Sequence, residues 1–306
     1  MYSDELLFLK FLNNLIHMQE NKYYNNVSMV SASTRGDPST ALISSDMKMI
    51  NFEDLVLDYY QNNNSPSIVD GLYFNFNKKN ELCLFFIEFK GNKLTKKAWK
   101  NYFEENIKSL PENVCSNQHD DCPIIKLDQH SLQKIYEQYA DEILVQLKMK
   151  PLESLLIAIP TLFKHFSGLD SKSNYLLNNY FNCYIYVVHA GGNENPLYSH
   201  LTSNDVNDKY ALFKNNGLIH DYMVLTEKTF NRDMIPKMKK FPIHFLNNIL
   251  EIIDDFKDEY DNPNLNELIF NKLNDELRKE SLNIPHKHKL RLVKVILKYC
   301  NCNQEY

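Results

Sequence analysis

The sequence predicts an α/β protein, with a mixed central sheet flanked by helices over about residues 1–200 and a mostly helical extension over 201–306. Strand-like apolar runs at 67–76, 82–90 and 182–190 alternate with segments of helical period, which is the signature of a layered α/β core. The run LCLFFIEFK at 82–90 is apolar on both faces until its last residues, as in a central strand covered above and below. Beyond Asn231 the helical period continues and no convincing strand follows, which places the boundary of the extension near 200.

The elements justify themselves in order. Leu6, Leu9, Leu12, Leu15 and Ile16 repeat at helical spacing behind Asp4, an acid suited to cap a helix over 4–20. Residues 27–45 are small and turn-rich, a loop with room for one short strand; within them Arg35-Gly36-Asp37-Pro38 reads as a turn. A second helix over about 51–61 carries Phe52, Leu55, Val56 and Tyr59 on its apolar face, and Asn62 to Pro66 break it. The strands at 67–76 and 82–90 follow, joined by Asn77 to Glu81. A cationic helix is expected over 93–108, a loop over 110–129, and helices over 131–150 and 152–166 separated at Pro151. Pro160 predicts a kink or split in the last of these. NCYIYVVHA at 182–190 reads as a buried strand, 218–226 as a further short one, and 241–257, 264–280 and 287–300 as helices.

Composition narrows the function classes. The chain has 306 residues, 43% of them hydrophobic, enough for a large core, and a net charge of -5 that argues against coating nucleic acid by bulk electrostatics. Three local basic segments stand out at 90–100, 237–240 and 287–298; a solvated face is the plain reading of each, and phosphate binding the sharper one. The N-terminal stripe contains acids and a lysine, unlike a signal peptide or spanning helix, so the expectation is a soluble, cytoplasmic protein with no membrane partner. The six cysteines form no disulfide framework, and Cys83 and Cys183 sit in strand-like runs as core thiols. Cys115, His119, Cys122 and His130 could ligate zinc, although their spacing matches no common closed site and unligated loop residues explain them as well. His189 ends a strand beside Gly191 and Gly192, where a satisfied strand-end histidine is the plain reading.

Charges at the end of an otherwise apolar strand cost free energy unless paired, hydrated or bound to an ion. Glu88 and Lys90 alternate onto one face of the strand, together with Leu82, Leu84 and Phe86. A hairpin centred on Lys79 sets Asp70 directly opposite Glu88, with Cβ atoms roughly 4.5–5.5 Å apart. Two carboxylates so close repel unless protonated or bridged, and a hard divalent cation is the ordinary bridge. A one-residue slip would undo the arrangement. Asp70 as a turn acceptor before Gly71, with Glu88 and Lys90 as a strand-end ion pair, is the structural alternative.

Asp70 in PSIVD, with Glu88 and Lys90 in EFK, resembles the PD-(D/E)XK nuclease superfamily, whose core is a helix, an antiparallel strand pair bearing these residues, a further helix and another strand. Pro66 stands four residues before Asp70 rather than beside it, a departure from the literal motif. The resemblance implies a restriction-endonuclease-like core, with Asp70 and Glu88 as ligands of Mg²⁺ or Mn²⁺ and Lys90 as the catalytic lysine. Glu53 is the carboxylate expected on the preceding helix, with Asp54 its rival. Gln133, Tyr136 and Gln138 have no spacing that fits the residues some relatives carry on the next helix. The reaction so implied is phosphodiester hydrolysis of nucleic acid, DNA ahead of RNA, by a chain that duplex cutting would favour as a homodimer. Lys93, Lys96, Lys97 and Lys100 would meet the phosphate backbone, with Trp99 and Tyr102 available to stack on a base. A catalytically inactive descendant that binds nucleic acid or a partner protein is the first alternative, and an interaction protein with a plain core hairpin the second.

Overall fold

The computed structural model describes residues 4–32, 37–61, 65–90, 149–167, 181–188, 211, 213–259 and 261–300. It is an α/β arrangement built on a six-stranded mixed open sheet in sequential order, β1 Tyr24–Asn26, β2 Lys48–Asn51, β3 Gly71–Phe76, β4 Leu82–Lys90, β5 Phe181–Val188 and β6 Asp221–Thr226. The first four strands are antiparallel, and β4, β5 and β6 run parallel. Helices α1 Asp4–His17, α2 Val27–Val30 and α3 Phe52–Tyr59 precede the central hairpin. Residues 149–153 are helical and pass through a π-helix, Ser154–Ala158, into α4 Ile159–Ser167. Beyond β6 come α5 Glu227–Asp233, α6 Ile235–Lys240, α7 Leu246–Phe256, α8 Leu265–Lys279 and α9 His286–Cys300.

The β3–β4 register pairs Gly71 with Ile87 and Phe76 with Leu82, the register of a hairpin centred on Lys79. Asn77 sets it: its side-chain oxygen accepts from the N–H groups of Lys79 (2.7 Å) and Glu81 (3.1 Å), and Asn80 takes the positive φ that the turn requires. Gly71 is fixed by crowding, since a Cβ there would come within 2.5 Å of Met49 Sδ on β2.

Several boundaries differ from the sequence expectation. The first strand of the hairpin begins at Gly71 rather than 67, because side chains of the helix across the chain take the N–H groups of residues 67–69. Ser67 N–H donates to Glu153 and Val69 N–H to Ser154 Oγ (3.0 Å). The turn-rich 27–45 segment holds α2 and a single-residue bridge between Ala32 and Ala41, and Asp37 accepts from Ser39 N–H (2.9 Å) as a turn residue does. The strands β1 and β2 have no sequence counterpart, being only three and four residues long. Pro151 lies inside helical residues 149–153 and does not separate two helices there. Pro160 follows the π-helix directly, and the wider π-turn accommodates a residue with no N–H to donate.

The C-terminal helices share the sheet's core. Phe230 of α5 stacks edge-on against Phe89 (5.6 Å between centroids), and the Tyr73 hydroxyl donates to Phe241 O (3.0 Å). Core residues run without a break from Leu6 through Ile185 to Ile296. The expected boundary near 200 falls outside the described residues, as do the segments 93–148 and 189–192. Cys83 and Cys183 are buried, as expected of core thiols, and so is Cys300. No described helix is long and apolar enough to cross a membrane.

Candidate active site

Asp70 is the residue before β3, at the point where the antiparallel ladder stops. Its backbone carbonyl accepts from Phe52 N–H (2.9 Å) and Glu53 N–H (3.4 Å), the free donors of the first turn of α3. Its carboxyl replaces the missing ladder bond: Oδ2 accepts from Phe89 N–H at 2.6 Å. Main chain and side chain are thus both tied, one to α3 and the other to β4.

Glu88, one step from the end of β4, is completely buried. Its Oε1 receives two ammonium groups, Lys90 Nζ at 2.6 Å and Lys150 Nζ at 2.7 Å, while Oε2 has no hydrogen-bond partner among the described residues. Lys150 also lies 3.8 Å from Asp70 Oδ1, which makes it the bridge between the two acids. Burying a carboxylate is tolerable only with such compensation.

Burial is the main reason the Asp70 carboxyl is pushed up to about 8; neighbouring Glu88 adds to the rise and Glu53 contributes, while Lys150 and Lys90 pull against it. For Lys90, burial works to lower the ammonium's value, but Glu88 and Asp70 outweigh it and hold it above its ordinary level.

The structure therefore brings Asp70, Glu88 and Lys90 together on one face of the hairpin. Glu53 sits in the first turn of α3, joined to Asp70 through the backbone, and its charge is felt by both Asp70 and Lys90. Asp54 is engaged differently, exchanging hydrogen bonds with Asn51 as part of the α3 cap (2.8 and 3.2 Å), which favours Glu53 for any role at the site. Lys93, Lys96, Lys97, Lys100, Trp99 and Tyr102 lie outside the described residues, as do Cys115, His119, Cys122, His130, Gln133, Tyr136, Gln138 and His189.

Lys150 is the residue that sequence reasoning missed. Its local signal was a polar stripe of Lys150, Glu153 and Ser154 at positions i, i+3 and i+4 of one helix, all three of which meet the 67–70 segment or Glu88. Nothing in the local sequence pairs that stripe with a strand some 80 residues away.

Two carboxylates are what this site can offer a divalent cation, since no group of three or more His, Cys, Asp and Glu among the described residues is arranged to hold one. That number suits magnesium, which keeps several waters and takes one or two protein carboxylates. The unpartnered Glu88 Oε2 is the acceptor the structure leaves available for it. Compared with known protein families, with curated proteins and with solved structures, the chain matches none.

Proposed function

We propose that the protein is a metal-dependent nuclease that hydrolyses nucleic-acid phosphodiester bonds at the Asp70–Glu88–Lys90 cluster. The observation that carries this reading is that Asp70 and Glu88 meet at the open end of the hairpin, both in reach of Lys150, with Lys90 two residues beyond Glu88 and bonded to it. The order of elements supports it as well: helix α3, the antiparallel pair β3–β4, the 149–167 helix, and then β5 parallel to β4. That is the arrangement expected of a restriction-endonuclease-like core.

Asp70 and Glu88 would hold Mg²⁺ or Mn²⁺, which when bound supplies Lewis acidity toward a phosphoryl oxygen and an activated water. Lys90, whose ammonium is held charged by its neighbours, orients the attacking water and offsets charge gathering on the phosphorus. Asp70 must lose its proton to act as a ligand, so binding and turnover rise with pH toward about 8. Glu53 adds negative charge beside the two ligands.

Purified protein is to be incubated with plasmid, single-stranded DNA and RNA in Mg²⁺ or Mn²⁺, beside a chelator control and folded Asp70→Ala and Lys90→Ala variants. The expected result is metal-dependent cleavage that drops at least about a hundredfold in each variant. Absence of cleavage on every substrate, together with no Mg²⁺ heat by calorimetry, would overturn it.

One observation favours a second reading, a nuclease-like fold that binds nucleic acid or a protein without cutting. Lys90 and Lys150 both sit on Glu88 Oε1, so the buried acid is compensated by the chain itself. Intact binding without Mg²⁺ affinity would select this reading.

A further inference from the structure

The basic segments 237–240 and 287–298 lie some 50 residues apart in the sequence and meet in space. Lys237 and Lys240, one turn apart on α6, and His288 and Arg291, one turn apart on α9, line a single cavity of about 180 Å³ with Asn75, Phe76, Phe241 and Leu292. Among the described residues no acidic side chain lines it.

Several cations elsewhere on the C-terminal helices are paired. Lys272 meets Asp255 at 3.1 Å, Arg278 meets Asp275 at 3.3 Å, Lys279 meets Glu276 at 2.8 Å, and Lys298 meets Glu5. Among the described residues Lys237, Lys240, Lys287 and Arg291 have no such partner; the nearest acid influence is that of Lys237 on Asp233, which is already bonded to Arg232 (2.7 Å). His288 registers the crowding. Burial first, then the charges of Arg291, Lys240 and Lys287, hold its imidazolium below the ordinary histidine value. Like charges around one concavity raise its potential for anions, and a guanidinium with two ammonium groups provides several charge-assisted donors.

We infer that the α6–α9 cavity is a binding site for a phosphate group. Its volume falls below the roughly 300 Å³ at which pockets begin to enclose whole small molecules, so it fits one phosphate or diphosphate and leaves the rest of any larger ligand outside. The site stands apart from the acidic cluster. Phe76 ends β3 and Asp70 precedes its start, which puts the two about 20 Å apart along the strand. The inference therefore does not depend on the nuclease reading.

Calorimetry and thermal-shift measurements with inorganic phosphate, inorganic pyrophosphate and a labelled single-stranded oligonucleotide test it, in the presence of chelator and at matched ionic strength set with NaCl. At least one of these probes should bind at one site per chain, and Lys240→Gln and Arg291→Gln should each weaken it about tenfold, as expected for loss of one charge-assisted contact. Lys10→Gln, on α1 and paired with Asp254, should leave it unchanged. Pyrophosphate binding without oligonucleotide binding assigns a free phosphate ligand. Oligonucleotide binding whose salt slope falls by about one per cation removed assigns a nucleic-acid backbone. No binding beyond the NaCl control, or binding indifferent to both substitutions, overturns the inference.

Discussion

The two ends of the β3–β4 hairpin solve opposite electrostatic problems. At the Asp70 end, acids are buried and the chain delivers lysines from β4 and from the 149–153 helix to meet them. At the Phe76 end, cations from α6 and α9 surround a cavity and, among the described residues, no acid lines it. The first end is compensated internally and contributes to the fold as it stands. The second is left with a charge that only something from outside can balance. The difference teaches that the number of charges in a region says little about ligands until the partners within the chain are subtracted.

The largest expected effect comes from unbalancing the compensated end. Lys150→Met leaves buried Glu88 with one cation in place of two and should cost about 3 kcal/mol, read as a lower urea midpoint at unchanged slope. Combining it with Glu88→Gln should restore much of the loss. At the other end Lys240→Gln should leave stability within about 0.5 kcal/mol of wild type, since it only relieves repulsion. Equal losses at both ends would break the comparison.

The pH dependence sharpens it. The unfolded chain ionises Asp70 near pH 4, whereas the folded chain does so only near pH 8. Between those values the folded state holds a proton that the unfolded state has released, so this carboxyl makes stability fall as pH rises, and its contribution is flat above about 8. Urea midpoints at about pH 5 and about pH 8 should therefore converge in Asp70→Asn relative to wild type. A wild-type slope untouched by the substitution would place the titrating proton elsewhere.

A smaller effect than that of Lys150→Met concerns the scaffold that delivers Lys150. Ser154→Ala removes the acceptor of Val69 N–H, a buried contact between the π-helix and the strand lead-in, and should cost about 1–2 kcal/mol by chemical denaturation. Cleavage should fall less than it does in Lys90→Ala.

What was legible in the sequence was whatever local pattern controls. The hairpin register followed from a five-residue turn that Asn77 closes on itself, and with the register came the opposition of Asp70 and Glu88. The last three helices followed from apolar period, to within about five residues at their ends, whereas α6 did not. Two kinds of feature escaped. The strands β1 and β2 are three and four residues long, and their place is set by pairing with β3 rather than by their own composition. Lys150, and the capture of the Ser67 and Val69 N–H groups by Glu153 and Ser154, depend on contacts across 62 to 86 residues. The cationic cavity was half legible: both basic segments were visible, but their meeting was not.

Gly71 gives this corner of the molecule an uneven tolerance to change. A methyl group at 71 would have to displace the buried Met49 side chain, so a substitution there disturbs the packing between β2 and β3. One residue earlier, an asparagine in place of Asp70 could still accept the Phe89 N–H and leave every strand where it is. Under mutation and drift the chemistry at this position is therefore easier to lose than the architecture. A lineage relieved of selection for the proposed cutting could lose the acid by a single substitution and go on inheriting the same sheet.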